Sequence, residues 1–304
     1  MEKNGNYNFE KLNERVVSSL VDSDLDSIFY GFRHLEDATL VSGVGGSSVV
    51  SEMAAKVLNQ KNQIIISNVE PRDFSKMNLK GYSNVLACSY SGNNYGVELA
   101  FLNDLKHYLL SGKRNEREDI HNLTYTCQNP EKSFISLAAT LIPCTILMDY
   151  YLDGKKDSLL ELLEKKDFSF DTSDAVYEIF SGKDTSTASK YLESTMTESG
   201  IGIPIVHDKY SYCHGRSTLC RNYSSNAIFF DTHTELDQVL LEEIKPYYKN
   251  IIVVDTPEGL LGDYYALVQS MYLTKYIGDS KNMDLSGVDY NPIVKKVYKY
   301  HGGI

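Results

Sequence analysis

Val85-Leu86-Ala87-Cys88-Ser89-Tyr90-Ser91-Gly92-Asn93-Asn94 is the stretch on which the fold turns. Four apolar residues run directly into two serines, a glycine and two asparagines, and a helix-like pattern starts at Tyr95. A short continuous apolar run bounded by turn residues predicts a buried parallel strand. At its C-terminal end, hydroxyls and amides meet the first turn of a helix. Backbone N–H groups are free there, and the helix dipole favours an anion. The loop carries no basic residue, so an anion would be held by hydroxyls and amides. Ser and Asn also cap helices routinely, and on this loop alone a plain capping turn explains them equally well.

Outward from this strand the chain alternates. Upstream, Phe9, Leu12, Val16, Leu20, Leu25, Ile28 and Phe29 recur at helical spacing and predict one helix over 8–35. A strand at 39–42 follows, then the turn Gly43-Val44-Gly45-Gly46-Ser47-Ser48, a helix over 49–59 and a strand at 64–67. Downstream, the helix from Tyr95 is read to about Gly112. A polar loop (113–121), a strand at 123–127 and a helix over 133–151 complete the first half. Strands alternating with helices indicate βαβ units and a parallel sheet.

After a charged stretch the pattern restarts, with strands at 176–180, 203–206, 227–231 and 251–255 and helices over 187–199, 235–247 and 260–276. The reading is therefore α/β, with two similar doubly wound parallel sheets of flavodoxin-like, three-layer αβα type, from an internal duplication. The boundary is placed near Lys166, giving units 1–166 and 167–304.

Composition narrows the function. The chain has 304 residues, a net charge of −11 and no Lys/Arg cluster, which argues against nucleic acid. No apolar run is long enough for a bilayer span. Five cysteines without a CxxC or an even framework, and no apolar signal core, predict a soluble, reducing, cytoplasmic setting. The Gly43–Ser48 turn could be a dinucleotide fingerprint, but Ser48 occupies the third glycine position and no Asp ends the next strand. No cofactor and no metal are expected. Two hydroxyl-rich turns, at Ser47 and at Ser89–Asn94, both at C-terminal strand ends, point instead to a phosphate. The equivalent second-half loop opens with Asp231, whose carboxylate would repel one.

These paired loops, GxGxS and SxSG, in tandem α/β units resemble the sugar isomerase (SIS) family. The double-domain phosphosugar isomerases, the isomerase half of glucosamine-6-phosphate synthase and the fructosamine-6-phosphate deglycases are the most similar groups. The resemblance implies that Gly45, Ser47, Ser89 and Ser91 hold a sugar phosphate. Asn94 stands where the family has Thr, and Ser136 follows a segment that contacts the sugar. It also implies a catalytic Glu at a helix end, Glu198, with a His-Gly pair sixteen residues on, His214-Gly215, the His acting in a neighbouring subunit to assist ring opening. Glu198 sits before Gly200, in the last turn of its helix beside the negative end of the dipole, where a proton-accepting group is well placed. Lys295 (or Lys296) matches a C-terminal Lys that enters the sugar site, while Thr195 replaces a Lys of the synthase.

The implied function is isomerisation of a 6-phosphosugar, amino-substituted, through Glu-mediated C1–C2 proton transfer in a homodimer or larger homo-oligomer. A deglycase releasing an amine is one alternative. A non-catalytic sugar-phosphate-binding regulator is the other.

Overall fold

The computed structural model describes residues 9–129, 131 and 135–285. The run Thr39-Leu40-Val41-Ser42 is fully buried and, with Gly43, forms β1 (Thr39–Gly43), as a strand covered on both faces requires. With β2 (Ile66–Asn68), β3 (Asn84–Cys88), β4 (Lys106–Ser111) and β5 (Ile120–Thr124) it makes a parallel sheet in the order β2-β1-β3-β4-β5. A second parallel sheet holds β6 (Val176–Ser181), β7 (Ile203–Asp208), β8 (Asn226–Asp231) and β9 (Asn250–Asp255) in the order β7-β6-β8-β9. Both follow the doubly wound, flavodoxin-like order, which reverses between β1 and β3 and between β6 and β8. Each reversal opens a crevice at the carboxyl ends of the strands.

The helices are α1 (Leu12–Val21), α2 (Leu25–Arg33), α3 (Gly46–Asn62), α4 (Tyr95–Ala100), α5 (Ala138–Tyr151) and α6 (Lys156–Glu161), then α7 (Ser186–Ser199), α8 (Lys209–Tyr212), α9 (Glu235–Ile244) and α10 (Gly259–Ser280). Alternation along the strands sorts them into layers. Val41 and Leu86 face one way and Leu40 and Val85 the other, as the two-residue period dictates. The largest core runs from the inner face of the first sheet, through α3, α5, α7 and α10, to Ile179, Ile228 and Phe230 of the second. Smaller cores lie on the outer faces, around Phe74, Val97 and Phe101 and around Phe180, Tyr212 and Leu240. Among the described residues no helix is long and apolar enough to cross a membrane.

Polar contacts also lock the inner helices. Asp263 on α10 accepts from the backbone N–H of Thr187 (3.1 Å) and Ala188 (3.3 Å) at the start of α7, and pairs with Lys56 of α3. Glu52 of α3 accepts from Ser186 Oγ (2.7 Å) and Asn68 Nδ2 (2.9 Å). Burial raises the Asp263 carboxyl above its ordinary value, against the pull of Lys56. Between α6 and β6, Gln269 of α10 donates to Glu164 O (2.7 Å) and accepts from Lys166 N (3.0 Å).

Three expectations change. The single helix over 8–35 is two, broken at Asp22-Ser23-Asp24, where Asp24 accepts from Ser27 N (3.1 Å) and starts α2 afresh. The helix from Tyr95 ends at Ala100, and Lys106–Ser111 is strand β4. The next strand lies at Ile120–Thr124 rather than 123–127, because residues 126–128 turn to α1, with Thr126 N on Ser23 Oγ and Gln128 N on Ser19 Oγ, both 2.9 Å.

The two carboxyl edges differ in chemistry. Strands of the first sheet end in Gly43, Asn68, Cys88, Ser111 and Thr124. Those of the second end in Ser181, Asp208, Asp231 and Asp255.

Candidate functional site

In the first crevice β1 and β3 are register neighbours, with Gly43 opposite Cys88, so the loops that follow them emerge side by side. Gly43 is required there, since a Cβ would lie 2.2 Å from Ser47 O. Gly45, at φ +61°, precedes the 17-residue α3 and supplies no side-chain cap, and in the first turn Ser47 N and Ser48 N bond back to Val44 O (3.2 Å) and Gly45 O (2.9 Å). A Cβ at Gly45 would meet nothing within 4 Å: the space beside it is clear. From the other loop, Gly96 packs against Val44.

Each hydroxyl has its own situation. Ser89 is buried, and its Oγ accepts from Gly92 N (3.2 Å) and Asn94 Nδ2 (3.0 Å). Asn94 in turn caps α4 through Val97 N (3.0 Å). Ser89 and Asn94 therefore build the loop. Ser47 and Ser91, half-buried, have hydroxyls with no hydrogen-bond partner among the described residues. Ser136 sits against the other loop: a Cβ on Gly46 would be 3.0 Å from its Cβ, and its Oγ accepts from Thr140 Oγ1 (2.9 Å). The structure thus brings Gly45, Ser47, Ser89, Ser91, Asn94 and Ser136 to one crevice. Lys295 and Lys296 lie outside the described residues.

Sequence reading missed a buried charge pair at this crevice. Arg15 of α1, 4% exposed, lies 3.1 Å from Glu131, and Glu131 accepts from the backbone N–H of Ala138 and of Ala139 (3.3 Å), capping α5 next to Ser136. Both charges act on the Tyr90 phenol of the phosphate-type loop, which burial raises above its ordinary value. The signal was present: Arg15 falls on the buried face of α1 with Leu12, Val16 and Ser19, where a charge demands a partner.

Glu198 lies in the last turn of α7, which Gly200 closes in the left-handed conformation (φ +69°). Its carboxylate is exposed and accepts from Ser194 Oγ (2.9 Å). Buried Tyr191, one side of α7 earlier, feels both Glu131 and Glu198, and burial together with these charges pushes its phenol well above the ordinary range. Glu198 and His214 lie at opposite edges of the second sheet. Helix α7 runs back against the strands, so Glu198 stands near the amino edge of the second sheet, while His214 follows β7 and α8 at its carboxyl edge. A six-residue strand separates those edges by roughly 20 Å. His214 is exposed, and one chain does not bring it to Glu198.

The second crevice is occupied by its own side chains. Buried Lys209 donates to Asp237 (2.6 Å) and to Phe230 O (2.5 Å), and His233 (φ +60°) meets Asp255 at 2.6 Å. Burial lowers the Lys209 ammonium below its ordinary value, although Asp237 opposes this. Among the described residues no cluster of three or more His, Cys, Asp or Glu is arranged to hold a metal ion.

No protein-family model matches the chain, and no curated protein does. Solved structures do match. The C-terminal domain of glucosamine-fructose-6-phosphate aminotransferase from Francisella tularensis aligns with a TM-score of 0.72 at 10% identity, over 95% of this chain and 99% of that one. Tagatose-6-phosphate ketose/aldose isomerase from Escherichia coli gives 0.70 at 11%, over 96% and 97%. Glucosamine-6-phosphate deaminase from Thermotoga maritima gives 0.70 at 13%, over 91% and 96%. At such identities the likeness is one of fold: the chain has the doubly wound α/β architecture of these sugar-phosphate proteins, along nearly its whole length.

Proposed function

We propose that the protein is a cofactor-free phosphosugar isomerase acting on an amino-substituted 6-phosphosugar, with residues 1–166 binding the phosphate and 167–304 supplying the proton-transfer group. The observation that carries this reading is the pair of hydroxyls without a hydrogen-bond partner among the described residues, Ser47 in the first turn of α3 and Ser91 on the neighbouring loop, beside a helix N-terminus with no side-chain cap. Hydroxyls and helix-end amides suit a phosphate dianion. Ser89 and Asn94 hold the second loop in shape, and Ser136 borders the sugar end. The Arg15–Glu131 pair anchors the start of α5 beside Ser136. The named functions of the three structural neighbours all concern sugar phosphates or the enzymes that process them, which supports the substrate class.

In this mechanism Glu198 takes the proton from C2 and returns it at C1 through an enediol or enolamine, as aldose–ketose interconversion requires. His214 of a second copy assists ring opening, which makes the working unit at least a homodimer. Incubating the protein with glucosamine 6-phosphate, fructose 6-phosphate and fructosamine 6-phosphates in deuterated water tests the reading. Isomer formation with deuterium at C1 or C2, lost in Glu198→Gln, is the expected result. Amine release instead of an isomer makes it a deglycase. Binding without turnover of any substrate makes it a regulator and overturns the enzymatic reading.

A further inference from the structure

The outer face of the second sheet buries a chain of polar side chains that ends at the loop carrying His214. It starts at Glu178 on β6, 0% exposed. Glu178 accepts from Ser225 Oγ (2.7 Å) on one oxygen, and from Tyr248 OH (2.8 Å) and His207 Nε2 (2.9 Å) on the other. Tyr248 OH lies 3.1 Å from Tyr212 OH, and Tyr212 OH lies 3.5 Å from Cys220 Sγ. Cys220 donates to Ser217 O (3.0 Å). Tyr248 gives its one proton to the carboxylate, so the Tyr248–Tyr212 contact is a hydrogen bond when Tyr212 gives its proton to Tyr248, and Cys220, whose thiol proton goes to Ser217 O, then only packs against Tyr212. Burial works to raise the Glu178 carboxyl, yet the three donors hold it below its ordinary value.

Tyr212 and Cys220 are the two ends of the segment that contains His214. Between them Cys213, His214, Gly215 and Arg216 are exposed. The Tyr212 ring is boxed edge-on by Phe180 (4.8 Å) and His207 (5.0 Å). The loop itself is tied by His214 N to Ser211 O (3.0 Å) and Arg216 Nη1 to Val206 O (3.1 Å). Packing alone would be served as well by apolar residues of the same shape, since burying a charge with its partners gains little stability over them. A polar chain fixes geometry instead.

We propose that Glu178, Tyr248 and Tyr212 form a positioning clamp that holds the 213–219 loop so that His214 is presented outward, in a fixed pose, to a second copy of the chain. The catalytic half of this proposal rests on the isomerase reading above. The loop-holding half does not.

The test uses Tyr248→Phe and Tyr212→Phe, which keep the ring volumes and remove the hydroxyls. Hydrogen exchange of residues 213–219 should quicken about tenfold, the scale of one charge-assisted hydrogen bond, while exchange in β6 and β8 stays put. In turnover, kcat should fall about tenfold with KM within twofold. Unchanged exchange in the loop overturns the clamp, as does faster exchange with full activity. A wild type that turns over no phosphosugar defeats the isomerase reading, and exchange alone then decides whether the clamp holds the loop.

Discussion

Ser47 and Ser91 differ from Ser89 in where their hydroxyls are engaged. Ser89 Oγ takes two hydrogen bonds from its own loop, while the hydroxyls of Ser47 and Ser91 take none among the described residues. Removing an unpartnered hydroxyl costs the fold little, but removing one that meets a phosphate costs binding. Ser91→Ala should therefore weaken glucosamine 6-phosphate binding about tenfold or more, on the basis of roughly 1.5–3 kcal/mol for a hydrogen bond to a charged group, with the unfolding midpoint unchanged. Ser89→Ala should lower both, because Gly92 N and Asn94 Nδ2 lose their acceptor. Calorimetry and thermal unfolding separate the two serines. Equal behaviour would place the ligand elsewhere. From sequence the three serines look alike, because the partner of each is set by loop geometry. The partner of Arg15 was hidden for a different reason: Glu131 lies 116 positions away, and no periodicity links them.

At the scale of elements, the strand β3 and its loop were legible because burial on both faces leaves an unbroken apolar run. Strand β4 was not. Leu105, Leu109 and Leu110 continue the helical spacing of Val97 and Leu99, and the stop signal is one side chain: Asn103 donates to Ala100 O (2.8 Å) and accepts from Leu105 N (3.0 Å). Helix α7 shows what one helix asks of another. Its buried N-terminal amides are met by Asp263 of α10, charged against Lys56 of α3. Asp263→Ala leaves the lysine and the amides without a partner, and should cost about 3–5 kcal/mol in urea unfolding, the price of breaking a buried pair. A loss under about 1 kcal/mol would mean the helices dock without it. Because burial raises the Asp263 carboxyl, ionising it opposes folding: the stability gained where it is protonated, at low pH, is lost as pH rises through its folded value, and the pair with Lys56 offsets part of that loss. Asp263→Asn keeps an acceptor for the amides and should remove that loss.

At the scale of the whole molecule, the sequence reading reached the repeated order of strands but not the path between Glu198 and His214, since spacing along a chain says nothing about which edge of a sheet a residue reaches. If both serve one site, two copies must meet. Glu198→Gln and His214→Ala, each inactive alone, should regain up to about a quarter of wild-type activity when mixed under subunit exchange: half of the dimers are then mixed, and each carries one intact site of two. A wild-type monomer with full activity by light scattering would exclude the arrangement.

The aspartates that end β7, β8 and β9 have a consequence for valency. A polypeptide built from two copies of one crevice would ordinarily be able to hold two copies of one ligand. Here the second copy is charged against a phosphate, and its lysine and histidine are already spent on Asp237 and Asp255. If the first crevice takes the phosphosugar proposed for it, each polypeptide should hold one, and the number bound at saturation should equal the number of chains.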